Sequence, residues 1–140
     1  MAKYSDDQDA IAICPKGTKG KVLELGGLLI ALPAQPPEKE IAGYGRPDDM
    51  QLWEEFRRRR EGFWFFNAGE PTYITGRHYM MLQWTRMDIG YPDYLEFQRE
   101  IFLHLCACEA DPRCIGQLYT KCRRSGYTNI CSSVLLDEAT

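Results

Sequence analysis

The spacing of apolar residues changes along this chain, and each change of period predicts an element. Tyr94, Phe97, Ile101, Phe102, Leu105 and Cys108 recur at helical spacing, with Glu96, Arg99 and Glu100 on the other side. This predicts the longest helix, capped by Asp93 with Glu96 at the reciprocal position. It ends at Asp111-Pro112, because proline cannot continue a helix. Gln98 is a polar residue near the apolar side, either half-exposed or an amide placed to read the edge of a base. Upstream, Gly62 to Asn67 is a dense aromatic strand, Ala68 to Pro71 a turn and Thr72 to Thr75 a second strand, which together predict a hairpin. Gly76 to Tyr79 leads into a short helix through Met80, Met81 and Leu82, and Met87 to Pro92 is a loop. An earlier helix has Leu52, Trp53 and Phe56 on one apolar side, Asp48 as cap and Gln51 to answer it. Arg57 to Arg60 close that helix, either as a solvated end that complements the dipole or as a contact for DNA or a partner. Lys21 to Leu32 reads as two short strands broken at Gly26-Gly27, or one bulged strand. Pro33 to Pro47 reads as a linker or extended arm, and Met1 to Gly20 as polar and loose.

The last stretch has a different pattern. Gly116 to Thr120 is a candidate strand, Lys121 to Thr128 a cationic turn, and Asn129 to Ala139 a helix. That helix would place Ile130, Cys131, Val134 and Leu135 on one face, with Ser132, Ser133, Asp137 and Glu138 mostly on the other. Strand, glycine-containing loop and helix is the layout of a phosphate-binding loop. Free N–H groups at a helix N-terminus point at an anion, and the macrodipole adds partial positive charge. Aligned on Gly126 and Thr128, the pattern G-x-x-x-x-G-K-[ST] is incomplete, with Tyr127 at the lysine position and Lys121 at the first glycine position. Lys121, Arg123 and Arg124 can each reach a β- or γ-phosphate, and arginine suits bidentate contacts. The other reading of these residues is a solvated basic turn.

At 140 residues the chain is one domain or part of one, and 44% hydrophobic residues with 12% aromatics suffice for a core. A net charge of −3 excludes a global basic coat for nucleic acid, but Arg113 to Thr128 carries four cations and no acid. The six cysteines contain no C-x-x-C pair, and His78 and His104 are read as lying apart from them, which argues against zinc. Cys106 and Cys131 read as small buried hydrophobes and His78 as a structural histidine. With no apolar run of membrane length and no leader-like start, the chain reads as reduced, soluble and intracellular.

Taken in order, several of these stretches resemble the N-terminal part of the large terminase subunits of tailed phages, especially the crAss-like phages of Bacteroidetes. They are Gly62 to Asn67, Glu70 to Tyr79, Asp88 to Tyr94, Cys108 to Cys114, Lys121 to Thr128 and Ala139-Thr140, so the likeness covers residues 60 to 140. The resemblance implies an α/β protein, α+β in this part, that begins a P-loop (ASCE) ATPase domain over residues 48–140. A flexible arm with a short strand pair, residues 1–47, would precede it. It implies a motor that binds ATP and Mg²⁺ and drives double-stranded DNA into a procapsid, with a nuclease domain further along. Carried over, the ATP-binding residues are Gln98, Lys121, Arg123, Arg124, Ser125, Gly126, Tyr127 and Thr128. Lys121, Arg123 and Arg124 would hold phosphates, Gly126 would permit close backbone approach and Thr128 would ligate Mg²⁺. Phe97-Gln98 is similar to the family's adenine-recognition pair. Implied partners are DNA, the portal or procapsid, the small terminase subunit and further copies in a ring, in the cytoplasm of an infected bacterium.

Nothing in these 140 residues matches the acids of the Walker B strand, the coupling motif or the nuclease. Either the chain is the front piece of a longer motor, inactive by itself, or the phosphate-loop reading fails. The alternatives are a non-catalytic module in which the aromatic hairpin and Arg57 to Arg60 dock nucleic acid or a capsid protein, and a piece of another P-loop enzyme such as a helicase.

Overall fold

The computed structural model describes residues 10–13, 19–25, 27–41, 52–88, 90–123 and 126–139. Among these it is a mixed α and β structure of four α-helices and two small sheets. No helix among them is long and apolar enough to cross a membrane.

The first sheet holds β1 (Ile11–Ala12), β2 (Lys19–Leu25) and β3 (Leu28–Pro33) in the order β1-β3-β2. β2 and β3 are antiparallel around Gly27, as the glycine break predicts, with Leu25 opposite Leu28. β1 runs parallel to β3, pairing Ile11 with Ile30. It lies where the sequence reads as loose; the local Ile11 and Ile13 are apolar enough to join a core with Ile30 and Leu32. The expected hairpin forms as β4 (Phe63–Asn67) and β5 (Glu70–Ile74), turning at Ala68 and Gly69, both at positive φ.

The helices are α1 (Leu52–Glu61), α2 (Gly76–Trp84), α3 (Glu96–Ala110) and α4 (Tyr127–Ala139). α3 is the shared spine. Its Leu103 and Ala107 pack on Ile30, Leu32 and Tyr73, while Ile101 and Phe102 join Phe65, Ile74, Tyr79, Met81, Leu82 and Ile130. Thr75 caps α2, its hydroxyl accepting from the His78 N–H at 3.3 Å. Gly76 lets α1 lie directly on the start of α2, since a Cβ there would stand 2.0 Å from the Arg59 carbonyl oxygen.

Several expectations are overturned. Gly116–Thr120 is not a strand: residues 114–122 have no regular structure, and Ile115 and Leu118 are 104% and 96% exposed. A strand needs a ladder partner, and none of the described strands pairs with this segment. Asp93 does not cap α3, which starts at Glu96 with Leu95 making no side-chain cap. Glu96 instead accepts from the Tyr94 hydroxyl and pairs with Arg99, so it is not available to a capping box. Phe97 faces outward while Gln98 is buried. Asp48 and Gln51, the expected cap of α1, lie outside the described residues.

Trp53 and Phe56 are also exposed, and α1 turns polar side chains inward. The Arg58 guanidinium lies 4.1 Å from the Phe63 ring centroid, and Arg59 reaches Asp137 of α4 at 3.3 Å. The arginine run is therefore a solvated end only in part. α4 begins two residues before the expected Asn129, and its inner stripe is Ile130, Ser133, Val134 and Asp137. Cys131 and Leu135 face solvent, so Cys131 is not a buried hydrophobe. Arg59 and Arg77 hold Asp137 inward, and the small Ser133 lies 3.5 Å from the hydroxyl of Thr85, the residue that ends α2.

Candidate functional site

The cationic loop is stationed by two helices. Gly126 stands immediately before α4 with φ of 79°, a left-handed conformation that glycine adopts without a Cβ penalty. Its carbonyl accepts from the Asn129 and Ile130 N–H groups at 3.1 and 3.3 Å, which starts the helix. The Tyr127 and Thr128 N–H groups, at the very start of the helix, have no partner inside it and point out of its end. Lys121, Cys122 and Arg123 lie exposed before that end, and among the described residues no carboxylate pairs with Lys121 or Arg123.

Gln98 reaches this place from α3. It is buried, and a Cβ on Gly126 would lie 3.6 Å from its Nε2. Its Oε1 is buried with no hydrogen-bond partner among the described residues. A buried amide oxygen left without a donor costs about 1–3 kcal/mol, so the arrangement suits a site that receives a donor from a ligand. Gln98, Gly126 and Tyr127 thus come together. Thr128 is exposed on the first turn of α4, and Lys121 and Arg123 are on the open loop. Arg124 and Ser125 lie outside the described residues.

Tyr127, at the lysine position of the pattern, stacks on Tyr119 with ring centroids 4.4 Å apart and planes 12° from parallel. It also packs against the main core. Burial pushes its hydroxyl pKa above the ordinary tyrosine value, and a contact with Cys131 adds to this. Tyr119 is a site residue that sequence reasoning passed over; it lies on a segment without regular structure, so no period ties it to Tyr127. Arg77 acts away from the site, at the far end of α4, joining α2 to Glu109 of α3 at 2.6 Å and to Glu138 of α4.

His78 is the expected structural histidine, wholly buried between the Phe102 and Tyr94 rings at 4.7 and 5.6 Å. Neither ring nitrogen has a hydrogen-bond partner among the described residues. Cys106 is held as a thiol, its pKa pushed up to about 11 by burial. His104 does not stand apart from the cysteines as the sequence suggests: its Nδ1 lies 3.6 Å from Cys108 Sγ. Among the described residues no group of three or more His, Cys, Asp or Glu could hold a metal ion. A groove of about 560 Å³ lies elsewhere, between α1 and the hairpin, lined by Glu54, Arg58, Phe63, Trp64 and Tyr73 among others.

No family model, curated protein or solved structure matches this chain.

Proposed function

We propose that this chain is the front part of a viral DNA-packaging ATPase, binding ATP between the loop at 121–128 and Gln98. The observation that carries the reading is the Gln98 carboxamide, buried, with an unpaired acceptor, and lying against Gly126. The resemblance asks that an upstream glutamine and a basic, glycine-containing loop serve one nucleotide, and here the two are neighbours. A helix start at Tyr127 and Thr128 with cations before it favours a polyphosphate. In this reading Lys121 and Arg123, with Arg124, hold the phosphates, the N–H groups after Gly126 cradle them, and Gln98 reads the adenine edge. Magnesium would be held by the Thr128 hydroxyl and phosphate oxygens. The catalytic carboxylate and the DNA grip would come from elsewhere in the motor.

The test is the affinity of the chain for Mg-ATP, read by calorimetry. Lys121→Ala and Thr128→Ala should each weaken binding, the latter only when Mg²⁺ is present, and Gln98→Ala should erase the preference for ATP over GTP. Unchanged affinity in the first two variants removes the phosphate loop, and unchanged discrimination in the third removes the adenine contact.

A second reading, a non-catalytic interaction module, draws on a different surface. Phe65 of the hairpin is packed into the core, so any docking by the hairpin would use its other face. Exposed aromatics on and beside α1 include Trp53, Phe56 and Trp84, with the Arg59 guanidinium 5.6 and 5.0 Å from the Phe56 and Trp84 ring centroids. Stacking of this kind suits single-stranded nucleic acid. Loss of oligonucleotide binding in Phe56→Ala and Trp84→Ala, with no Mg-ATP binding in the parent chain, selects this reading.

A further inference from the structure

We propose that the groove between α1 and the β4–β5 hairpin docks a proline-rich segment of a partner protein, held as a polyproline helix with a basic residue beside it. The groove, of about 560 Å³, is lined by Phe63, Trp64 and Tyr73 of the hairpin, by charged residues of α1, and by Pro33 and Pro36. Its volume is that of a formed binding site. Most of its side chains are already fixed. Arg57 donates to both carboxylate oxygens of Glu54, at 2.6 and 2.9 Å, and lies 3.7 Å from Glu61. The Arg58 guanidinium stands over the Phe63 ring and 3.5 Å from Glu54. The Tyr73 hydroxyl donates to the Glu61 carbonyl at 2.7 Å. Gly62 leaves room for that hydroxyl, since a Cβ there would stand 2.2 Å from it. Trp64 packs against Tyr73, with ring centroids 5.6 Å apart.

The groups left over select the occupant. Trp64 Nε1 is buried with no hydrogen-bond partner among the described residues. An indole nitrogen only donates, and leaving such a donor unpaired costs about 1–3 kcal/mol, so the groove is suited to an incoming carbonyl. Glu40 is exposed on the lining, and among the described residues no cation pairs with it. The carboxylates of Glu54 and Glu61 are taken up by arginine, so few side-chain acceptors remain for further N–H groups. An ordinary extended peptide brings an N–H at nearly every residue. Proline brings none, and in a polyproline helix the carbonyls make no internal hydrogen bonds. Aromatic-lined grooves take such helices, whose order is set before binding and costs little on docking. The lining sets the carboxylates of Glu40, Glu54 and Glu61 against the guanidiniums of Arg57 and Arg58 only, so the flanking residue is basic and faces Glu40. The Trp64 N–H is covered before docking, so the indole turns toward the carbonyl as the peptide seats. This surface shares no residue with Gln98 or the loop at 121–128, and it stands whether or not the chain binds ATP.

The test is an NMR titration of the isotope-labelled chain, read at the indole N–H signals of its three tryptophans. Trp53→Phe and Trp84→Phe, at exposed positions, leave the remaining signal to Trp64. The probes are end-capped oligoprolines of about eight residues, flanked by arginine or by glutamate, and an arginine-flanked peptide in which every other proline is alanine. We expect the arginine-flanked oligoproline to move the Trp64 signal downfield and to bind at least about fivefold more tightly than either other peptide. Trp64→Phe, which keeps an aromatic ring without the donor, should weaken binding at least about threefold. Glu40→Gln should shrink the preference for arginine flanks at least about threefold. A Trp64 signal that stays still at millimolar peptide overturns the proposal, whether or not Trp53 or Trp84 moves. Equal binding of the alanine-containing peptide also overturns it and marks strand pairing along β4 instead. An unchanged preference in Glu40→Gln removes the place assigned to the basic residue.

Discussion

His78 should make this fold sensitive to mild acid. Its imidazole is wholly buried, flat against Phe102 and Tyr94, and neither nitrogen has a hydrogen-bond partner among the described residues. Burial disfavours the charged form, and the nearby Arg99 guanidinium adds repulsion, so the pKa falls to about 3. In the unfolded chain it returns to about 6.5. The folded value is the lower one, so the unfolded state binds the extra proton. Stability is full above pH of about 6.5 and is lost as pH falls from there toward the folded value. Each pH unit in that window removes about 1.4 kcal/mol, or about 2 kcal/mol between pH 6.5 and 5 and about 5 kcal/mol over the whole window. Marginal stability makes this decisive for a domain of this size. The assay is urea unfolding followed by circular dichroism at pH 7, 6 and 5, for the parent and for His78→Phe, which keeps the ring stack and cannot titrate. Carboxylates affect both proteins alike, so the difference between them isolates His78. That difference should move by about 2 kcal/mol from pH 7 to 5 in favour of the variant. Parallel pH dependences, or an imidazole that titrates near 6.5 in the folded protein by NMR, refute the reasoning.

Gly76→Ala should destabilise the fold by about 1–3 kcal/mol in urea unfolding, because its Cβ meets the Arg59 backbone carbonyl and not a flexible side chain. Ile130→Ala, which removes the most buried apolar side chain of α4, should cost about 2–5 kcal/mol by the same measurement. Arg77→Met should cost about 1 kcal/mol, with the loss shrinking in high salt, since Glu109 and Glu138 are largely exposed. Tyr119→Ala should speed trypsin cleavage after Lys121 and Arg123, while Tyr119→Phe keeps the stack and the parental rate.

The elements legible in the sequence were those set by local chemistry. The aromatic β4–β5 hairpin, α2 after Gly76, the glycine break between β2 and β3 and the end of α3 at Asp111 all lie where short-range pattern puts them. The faces of the helices were not legible, because long-range partners decided them. Asp137 reads as an outer residue of α4 until Arg59 and Arg77, far off in sequence, hold it inward. Trp53 and Phe56 read as the buried side of α1, yet Glu55 is drawn inward to accept from the Tyr79 hydroxyl and Trp84 Nε1 at 2.7 and 2.9 Å. For the candidate site, the polarity of Gln98 on an apolar stripe was the readable signal, and its burial against Gly126 gives that signal a location. The Tyr119–Tyr127 stack left no trace in any periodicity.

That stack bears on where positive charge can come from. A lysine directly after the glycine of a phosphate loop stands on the first turn of the helix and turns back over the anion. Tyr127 holds that place but is committed to Tyr119 and to the core, so the first residue of α4 contributes its backbone N–H and no charge. The helix dipole supplies only about half an elementary charge there. A polyphosphate in front of Gly126 would need more, and the cations without a carboxylate partner among the described residues of the loop, Lys121 and Arg123, both lie before the glycine. The charge is thereby moved from the rigid helix to an open loop, where ordering long side chains on binding carries an entropic cost. The aromatic stack at the two feet of the loop reduces that cost by narrowing what the loop can do before an anion arrives. In the proposed site, Tyr127 would do by geometry part of what a lysine at its position does by charge, and the stack and the early cations would act as a single arrangement.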